Sequence, residues 1–297
     1  MKKNGVLEFT SDFMLFLISI CWGSTFIIIK NVISDFPVFT FLFFRFLIAS
    51  ILLSPFILLK YKHINKKSLL AGVFLGFLLF LLFALQTIGL IYVKASVAAF
   101  ITGTYIIFTP IFSIIILHKK PYKSSVYGVI IAMIGLFFIT YEKNFVLSTG
   151  VIYLILNAIF LALHLIYVDK YSRKYNTFIL TAFQFITMTV LSFLCAFIFR
   201  DNLFNVNFTK GALFAIFYTA IFASVVAYLI QIGMQKFTTP TKTAIMFAAE
   251  PLSAPFFSYF IGKEILNTQQ LIGAIFIILA MVIAEVGTKN KYKGYAS

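Results

Sequence analysis

Ten long apolar runs joined by short polar connections account for most of the 297-residue chain. They are Phe13–Ile29, Val38–Leu59, Leu69–Tyr92, Ser96–Leu117, Ser125–Tyr141, Thr149–Val168, Thr177–Phe199, Gly211–Met234, Thr243–Ile261 and Gln270–Val286. Each comes close to or exceeds the roughly 20 residues that a helix needs to cross hydrocarbon. No water reaches the backbone there, so each segment must bond its own N–H and C=O groups, and such runs become helices. Composition agrees: 62% of residues are hydrophobic and 11% charged, against about half and a quarter in soluble domains. A soluble enzyme is excluded. The chain reads as an all-α integral membrane protein with ten transmembrane helices.

The formal charge of +15 would suggest nucleic acid in a soluble protein. In a membrane protein its placement matters more, because Lys and Arg collect on the cytoplasmic side whatever the ligand. With the N-terminus inside, the inside segments hold Lys2, Lys3, Lys60, Lys62, Lys66, Lys67, Lys119, Lys120, Lys123, Lys170, Arg173, Lys174, Lys236, Lys242, Lys289, Lys291 and Lys293. Those are 17 of the 24 basic residues; Lys30, Arg45, Lys94, Lys143, Arg200, Lys210 and Lys263 fall at outer ends or loops. The bias predicts both termini in the cytoplasm and a multi-pass protein of the cytoplasmic (plasma) membrane, with no nucleic-acid partner. Lys2 and Lys3 precede the first run as in a signal peptide, but no small-residue cleavage site follows. Ile20 before Cys21 argues against lipoprotein processing, so the run is expected to remain as a helix. Cys21 and Cys195 lie far apart in apolar runs, which predicts neither a disulfide framework nor a metal site. No cofactor is expected.

A cut near residue 145 leaves five runs on each side, residues 1–145 and 146–297. An odd number per half means that the second half enters the membrane from the opposite face, the inverted repeat typical of secondary transporters. At an offset of 145, Ala99 matches Ala244, Pro110 matches Pro255, Phe112 matches Phe257, Ser113 matches Ser258 and Gly128 matches Gly273. The fourth run carries Pro110 and the ninth carries Pro251 and Pro255. A proline inside a helix removes a backbone bond and frees a carbonyl. Interruptions at corresponding places in two halves point to a central binding site, although a simple packing kink is the other use of such prolines.

Several segments resemble the EamA-type transporters of the drug/metabolite transporter superfamily. They are Trp22-Gly23-Ser24-Thr25-Phe26 with Lys30, Phe44-Arg45-Phe46, and Ala84-Leu85-Gln86-Thr87-Ile88-Gly89-Leu90. Ala98-Ala99-Phe100-Ile101-Thr102-Gly103-Thr104-Tyr105 before Pro110 is similar to the fourth span of a bacterial subgroup. Glu250-Pro251, Gly262-Lys263-Glu264 and Gly273 follow the family pattern in the second half, whereas His118-Lys119-Lys120 stands where Gly-Glu-Arg is often found. The resemblance implies two inverted five-helix repeats around a cavity that opens alternately to each side. It also implies movement of small organic solutes, amino acids or related metabolites among them, often outward. It does not identify the solute.

Glu250 is the leading single candidate, because a carboxylate inside a membrane span is functional by default. It could couple transport to protons, or be a structural carboxyl hydrogen-bonded to a neighbour. Arg45 is the natural counter-ion, but it lies about 10 Å from the outer edge and Glu250 about 10 Å from the inner edge, at 1.5 Å per residue. A direct pair needs a long reach or a tilted helix, and Arg45 could instead bind anionic groups or support an outer gate. Tyr153, Asn157, His164 and Tyr167 share one face of the sixth span, and His164 is a second titratable candidate. Thr102, Tyr105 and Thr109 form a similar face in the fourth span, as do Ser224, Tyr228 and Gln231 in the eighth. With Trp22 and Gln86, the expected substrate cavity is Trp22, Gln86, Thr102, Tyr105, Asn157, His164, Tyr228 and Glu250. Gly128, Ala132 and Gly135 read as close helix packing.

No G-x-x-x-x-G-K-[ST] loop is present, so nucleotide binding by that route is excluded. Three function classes are compatible with such a chain to different degrees. A secondary transporter fits the repeat and the short loops. A channel or sensor subunit shares the architecture. An intramembrane enzyme needs a nucleophile–base or metal set, and His63, His118 and His164 are too scattered to supply one. The expected partners are a small solute, the bilayer and, at most, a second copy of the chain.

Overall fold

A computed structural model describes residues 2–34, 36–140, 148–201, 203, 206–262 and 268–286. The regular elements among the described residues are all helical. In chain order they are α1 (Lys2–Lys30), α2 (Val38–Leu59), α3 (Lys66–Tyr92), α4 (Ala95–Gly103), α5 (Tyr105–Leu117), α6 (Lys123–Thr140) and α7 (Thr149–Ser172). There follow α8 (Thr177–Ile198), α9 (Lys210–Ala220), α10 (Ala227–Gln235), α11 (Pro240–Phe247), α12 (Ala249–Gly262) and α13 (Thr268–Val286). A π-helical segment, Ile221–Val226, joins α9 to α10. Among the described residues, eight helical stretches are long and apolar enough to cross a membrane; two shorter apolar ones, Lys123–Gly135 and Leu271–Ile283, lie in α6 and α13. Lys143, Lys263, Glu264, Lys289, Lys291 and Lys293, used above for topology and motif, lie outside the described residues.

Local chemistry sets the helix starts. Asn65 accepts from the Ser68 amide and Ser68 answers from its hydroxyl, a capping box that opens α3. Asn176 accepts from the Phe178 and Ile179 amides at the start of α8, and Thr209 from Ala212 at the start of α9. Thr239 accepts from the Lys242 amide, with Pro240 in the first turn, to open α11. At the end of α5, His118 turns into the left-handed region (φ 55°), and the Lys119 amide reaches back to the Ser113 carbonyl. Glycine is the usual residue at such a cap.

Polarity is arranged inside out. Leu58, Phe197 and Ile198 are largely exposed, whereas Asn157, His164, Gln184 and Ser224 are completely buried. Apolar groups facing outward cost nothing in lipid, so helices associate there through close packing and interior polar contacts. Small residues allow that approach. A methyl group built on Gly76 of α3 would come within 2.7 Å of the Gln184 carbonyl oxygen of α8. One on Gly150 of α7 would come within 2.6 Å of Tyr92 Cβ. Gly135 of α6 sits equally close to the Gly273 carbonyl of α13, and α6 packs chiefly against α13. The remaining helices form the body: α2 against α8, α3 against α7 and α8, and α1 against α12.

The helix breaks do not fall on the prolines from which they were expected. Pro110 and Pro255 lie within the continuous helices α5 and α12, and Pro251 is in the first turn of α12. The chain breaks instead at Thr104 and Ala248. A proline disturbs the carbonyl one turn before it, so its effect appears on its N-terminal side, and a proline in a first turn forfeits no internal bond. The two breaks share one geometry. Thr104 has φ −64° and ψ −11°, and its amide bonds the Ile101 carbonyl at 3.1 Å. Ala248 has φ −62° and ψ −7°, and its amide bonds the Ile245 carbonyl at 3.1 Å. In each, a bond to the third preceding residue replaces the α-helical one to the fourth.

Candidate functional site

Each break starts a new helix in the interior, and a helix start presents unbonded amides and the positive end of the helix dipole. Tyr105 is the first residue of α5 and Glu250 the second of α12. Both are buried, and they interact electrostatically. Glu250 lies in the first turn of α12, where the helix dipole favours negative charge. It forms no side-chain ion pair or hydrogen bond among the described residues. Gly23 brings α1 against that same turn. A methyl group on Gly23 would lie 2.8 Å from the Glu250 carbonyl oxygen and 2.9 Å from the Ala254 nitrogen. This contact fixes the neighbouring Trp22 beside the break.

Tyr228 is the hub of an aromatic cluster. Its ring centroid lies 5.4 Å from Trp22, 5.8 Å from Phe185, 5.9 Å from His164 and 6.3 Å from Phe83. Trp22 also meets Phe247 edge-on at 4.9 Å, at the end of α11. The Trp22 indole N–H donates to the Ala223 carbonyl at 2.9 Å. That carbonyl belongs to the π segment, whose altered register changes which backbone groups bond within the helix. One residue on, Ser224 accepts from Arg45 Nε at 2.9 Å.

Arg45 is 1% exposed, the largest fully buried side chain among the described residues. Its guanidinium lies over the Phe83 ring at 4.4 Å and near Phe46 at 5.0 Å, and Nη1 has no hydrogen-bond partner among the described residues. It forms no ion pair with Glu250; both groups interact electrostatically with Tyr228. The long reach anticipated for a direct pair is not made.

Two polar contacts complete the interior. His164 Nε2 lies 2.9 Å from Gln184 Oε1, while Gln184 Nε2 donates to the Leu180 carbonyl at 3.2 Å. Gln184 Oε1 is therefore the acceptor, His164 Nε2 carries the proton, and the bare Nδ1 has no partner. Asn157 donates to the Leu82 carbonyl at 2.7 Å, leaving its Oδ1 unpartnered. The Thr102 and Tyr105 hydroxyls are likewise buried and have no hydrogen-bond partner among the described residues, and Thr109 donates to the Tyr105 carbonyl at 2.8 Å. Gln86 is 8% exposed on α3, and Tyr153 and Tyr167 are half-buried, the latter edge-on to Phe74.

Trp22, His164 and Tyr228 thus share one cluster of rings, with Glu250 and Arg45 in its electrostatic reach. None of the eight expected cavity residues lines either of two cavities at the ends of the bundle. One, about 470 Å³, has Glu8, Lys119, Asp169, Arg173, Lys236 and Thr238 among its walls. The other, about 380 Å³, is walled by residues including Asn31, Phe36, Asn207 and Ile261. The π segment and Gln184 were missed by sequence reasoning, because helical register and amide partners depend on neighbours. Phe83, Phe185 and Phe247 were lost among 39 phenylalanines.

A helical membrane bundle with broken helices meeting around buried charges defines a membrane transporter rather than a soluble catalyst. A sequence model of the EamA-like transporter family matches residues 9–141 and again 148–285, and the chain belongs to that family. An uncharacterized transporter of Archaeoglobus fulgidus is 32% identical over 95% of this chain and 88% of its own. One of Buchnera aphidicola is 28% identical over 87% and 88%. A solved crystal structure at 15% identity shares the fold with a TM-score of 0.71, covering 96% of this chain and 97% of that one.

Proposed function

We propose that the protein is a secondary transporter that moves a small organic solute, an amino acid or related metabolite, outward across the cytoplasmic membrane by alternating access. In this reading ten spans form two inverted five-helix repeats, 1–145 and 146–297, with both termini in the cytoplasm. The twofold family match and the shared geometry of the Thr104 and Ala248 breaks support the duplication. Trp22, Gln86, Thr102, Tyr105, Asn157, His164, Tyr228 and Glu250 line the solute path when it opens. One chain supplies both charges and the aromatic hub, so the reading needs no second copy.

The observation that carries the proposal is the pair of buried ionisable side chains, Arg45 and Glu250, neither in an ion pair among the described residues and both within electrostatic reach of Tyr228. Unpaired charge within a span is costly and marks a transport pathway. Arg45 receives an anionic group of the solute, the aromatic rings hold its apolar part, and Glu250 exchanges a proton as the path changes sides.

Solute uptake and counterflow in proteoliposomes, first with amino acids and their analogues, test this. pH-driven accumulation by the unaltered protein, lost in Glu250→Gln while counterflow persists, is the expected result. Ion-like current without saturation by solute would replace transporter with channel.

A further inference from the structure

The larger cavity ends on a lattice of charges that the central site does not use. Asp169 of α7 is almost fully buried, and its carboxylate accepts from Lys119 Nζ at 3.3 Å. It also accepts from Arg173 Nε at 3.1 Å and Nη2 at 2.8 Å. Arg173 Nη2 donates onward to the Thr238 carbonyl, 3.0 Å away in the turn between α10 and α11. One carboxylate therefore ties the end of α5, through Lys119, to α7 and to the start of α11. Close by, Gln235 at the end of α10 donates to the Leu165 carbonyl of α7 at 2.7 Å. A second buried cluster braces α1 to α11: Lys242 Nζ lies 2.7 Å from Glu8 and 2.7 Å from Asp12.

The layer behind this lattice is thin. Asp169, Arg173 and Thr238 line the cavity, and His164, five residues from Asp169 on α7, touches the Tyr228 ring. At 1.5 Å per residue the cavity floor is about 7.5 Å from the aromatic hub along α7. On α11, six residues separate the wall residue Thr241 from Phe247, which packs on Trp22, or about 9 Å. α5 packs with both α7 and α11, and α1 with α10, α11 and α12. Near this thin layer the Arg173–Thr238 bond joins α7 to the turn before α11, and the Gln235–Leu165 bond joins α10 to α7.

We infer that the 470 Å³ cavity is one mouth of the solute path and that the Asp169–Arg173–Lys119 lattice is its closure, released when the path opens to that side. The inference rests on the transport reading for its purpose, but not for its test. The carboxylate is the buried partner, whereas the Lys119 and Arg173 side chains are 39% and 44% exposed, so both cations stay solvated once it is removed. Loss of Asp169 therefore frees Arg173 and Lys119 together and shifts the protein toward the state open at this mouth.

The test uses full-length protein in proteoliposomes without solute, with Cys21→Ser and Cys195→Ser removing the native thiols. A Leu161→Cys reporter sits on α7 beyond the closure, and a Lys120→Cys reference on the cavity wall identifies the sealed side. Membrane-impermeable maleimide is applied from each side in turn. Asp169→Asn is expected to speed labelling of the reporter several-fold from the cavity side and to slow it from the other, with Lys66→Gln changing neither. Arg173→Gln, which breaks the Thr238 bond and keeps the buried carboxylate, makes the same prediction if Asp169→Asn fails to fold. Unchanged labelling, or labelling raised equally from both sides as general loosening would give, overturns the inference. Solute flux is a separate readout, so failure of the transport reading would show there and not in the labelling.

Discussion

The two helix breaks share a backbone and differ in chemistry. Thr104 and Ala248 have nearly the same dihedral angles and the same shortened hydrogen bond. Just past them stand Tyr105 and Glu250, which correspond at the offset of 145 residues: a neutral phenol in one half and a carboxylate in the other. Both side chains are buried in the same interior and interact. The comparison teaches that the break is an architectural element that either half supports, and that a carboxyl group stands at one of the two breaks only. In the proposed mechanism the second half does the proton chemistry, while the first supplies Arg45 for the anionic group of the solute and a neutral phenol at its own break.

The largest predicted effect tests that asymmetry directly. Glu250→Gln is expected to abolish pH-driven accumulation in proteoliposomes, whereas Tyr105→Phe should retain it and change only the half-saturating solute concentration. Equal loss in both variants would dissolve the distinction between the halves. Next comes Gly23→Ala, aimed at the second break alone. Backbone atoms of α12 sit too close for the added methyl and cannot rotate away, so α1 and α12 must separate. Overpacking of this kind costs about 1–3 kcal/mol, which should appear as a lower melting temperature in detergent together with slower transport.

A smaller effect is expected at the end of α5, in the first half. His118 holds φ 55°, a conformation that is costly for any residue with a Cβ and free for glycine. His118→Gly should raise stability by up to about 1 kcal/mol, the relief of strain exceeding the added freedom of the unfolded chain. A drop in the thermal midpoint would mean that the imidazole makes a contribution larger than the strain. The smallest effect concerns Asp201, beyond α8, whose carboxylate accepts from the Thr40 amide at 3.3 Å near the start of α2. Burial raises the Asp201 pKa, outweighing the hydrogen bonds from Thr40 and Phe39 that lower it. The folded state thus holds this proton more tightly than the unfolded chain. Its contribution to stability is present below the unfolded pKa and is lost as pH rises through the folded one. Melting temperature should fall slightly across that window, and Asp201→Asn should flatten the slope.

Much of the fold was legible because lipid imposes a simple code. Apolar length marked the helices, and Glu250 stood out because a carboxylate inside an apolar run has few explanations. The break positions were less legible: proline marked the right helices, but the distortion lies on the N-terminal side of each proline, where α4 and α11 stop. Aromatic partners were least legible, since a chain with 39 phenylalanines offers no reason to prefer Phe83 or Phe185 over its neighbours. The spacing of Asp169 and Arg173 is that of an i, i+4 pair, yet nothing in it announces Lys119 or the Thr238 carbonyl.

Sequence alone determined the helical membrane class and the family, because hydrophobic length and short motifs are local properties that survive without knowledge of neighbours. It also singled out the buried carboxylate. Tertiary structure decided the rest: that Tyr228 gathers Trp22, Phe83, His164 and Phe185, that Arg45 spends a hydrogen bond on Ser224 rather than on Glu250, and that α10 begins from a π register. Those outcomes follow from close packing between helices distant in sequence, where a hydrogen-bond partner or a ring face is set by which backbone lies opposite.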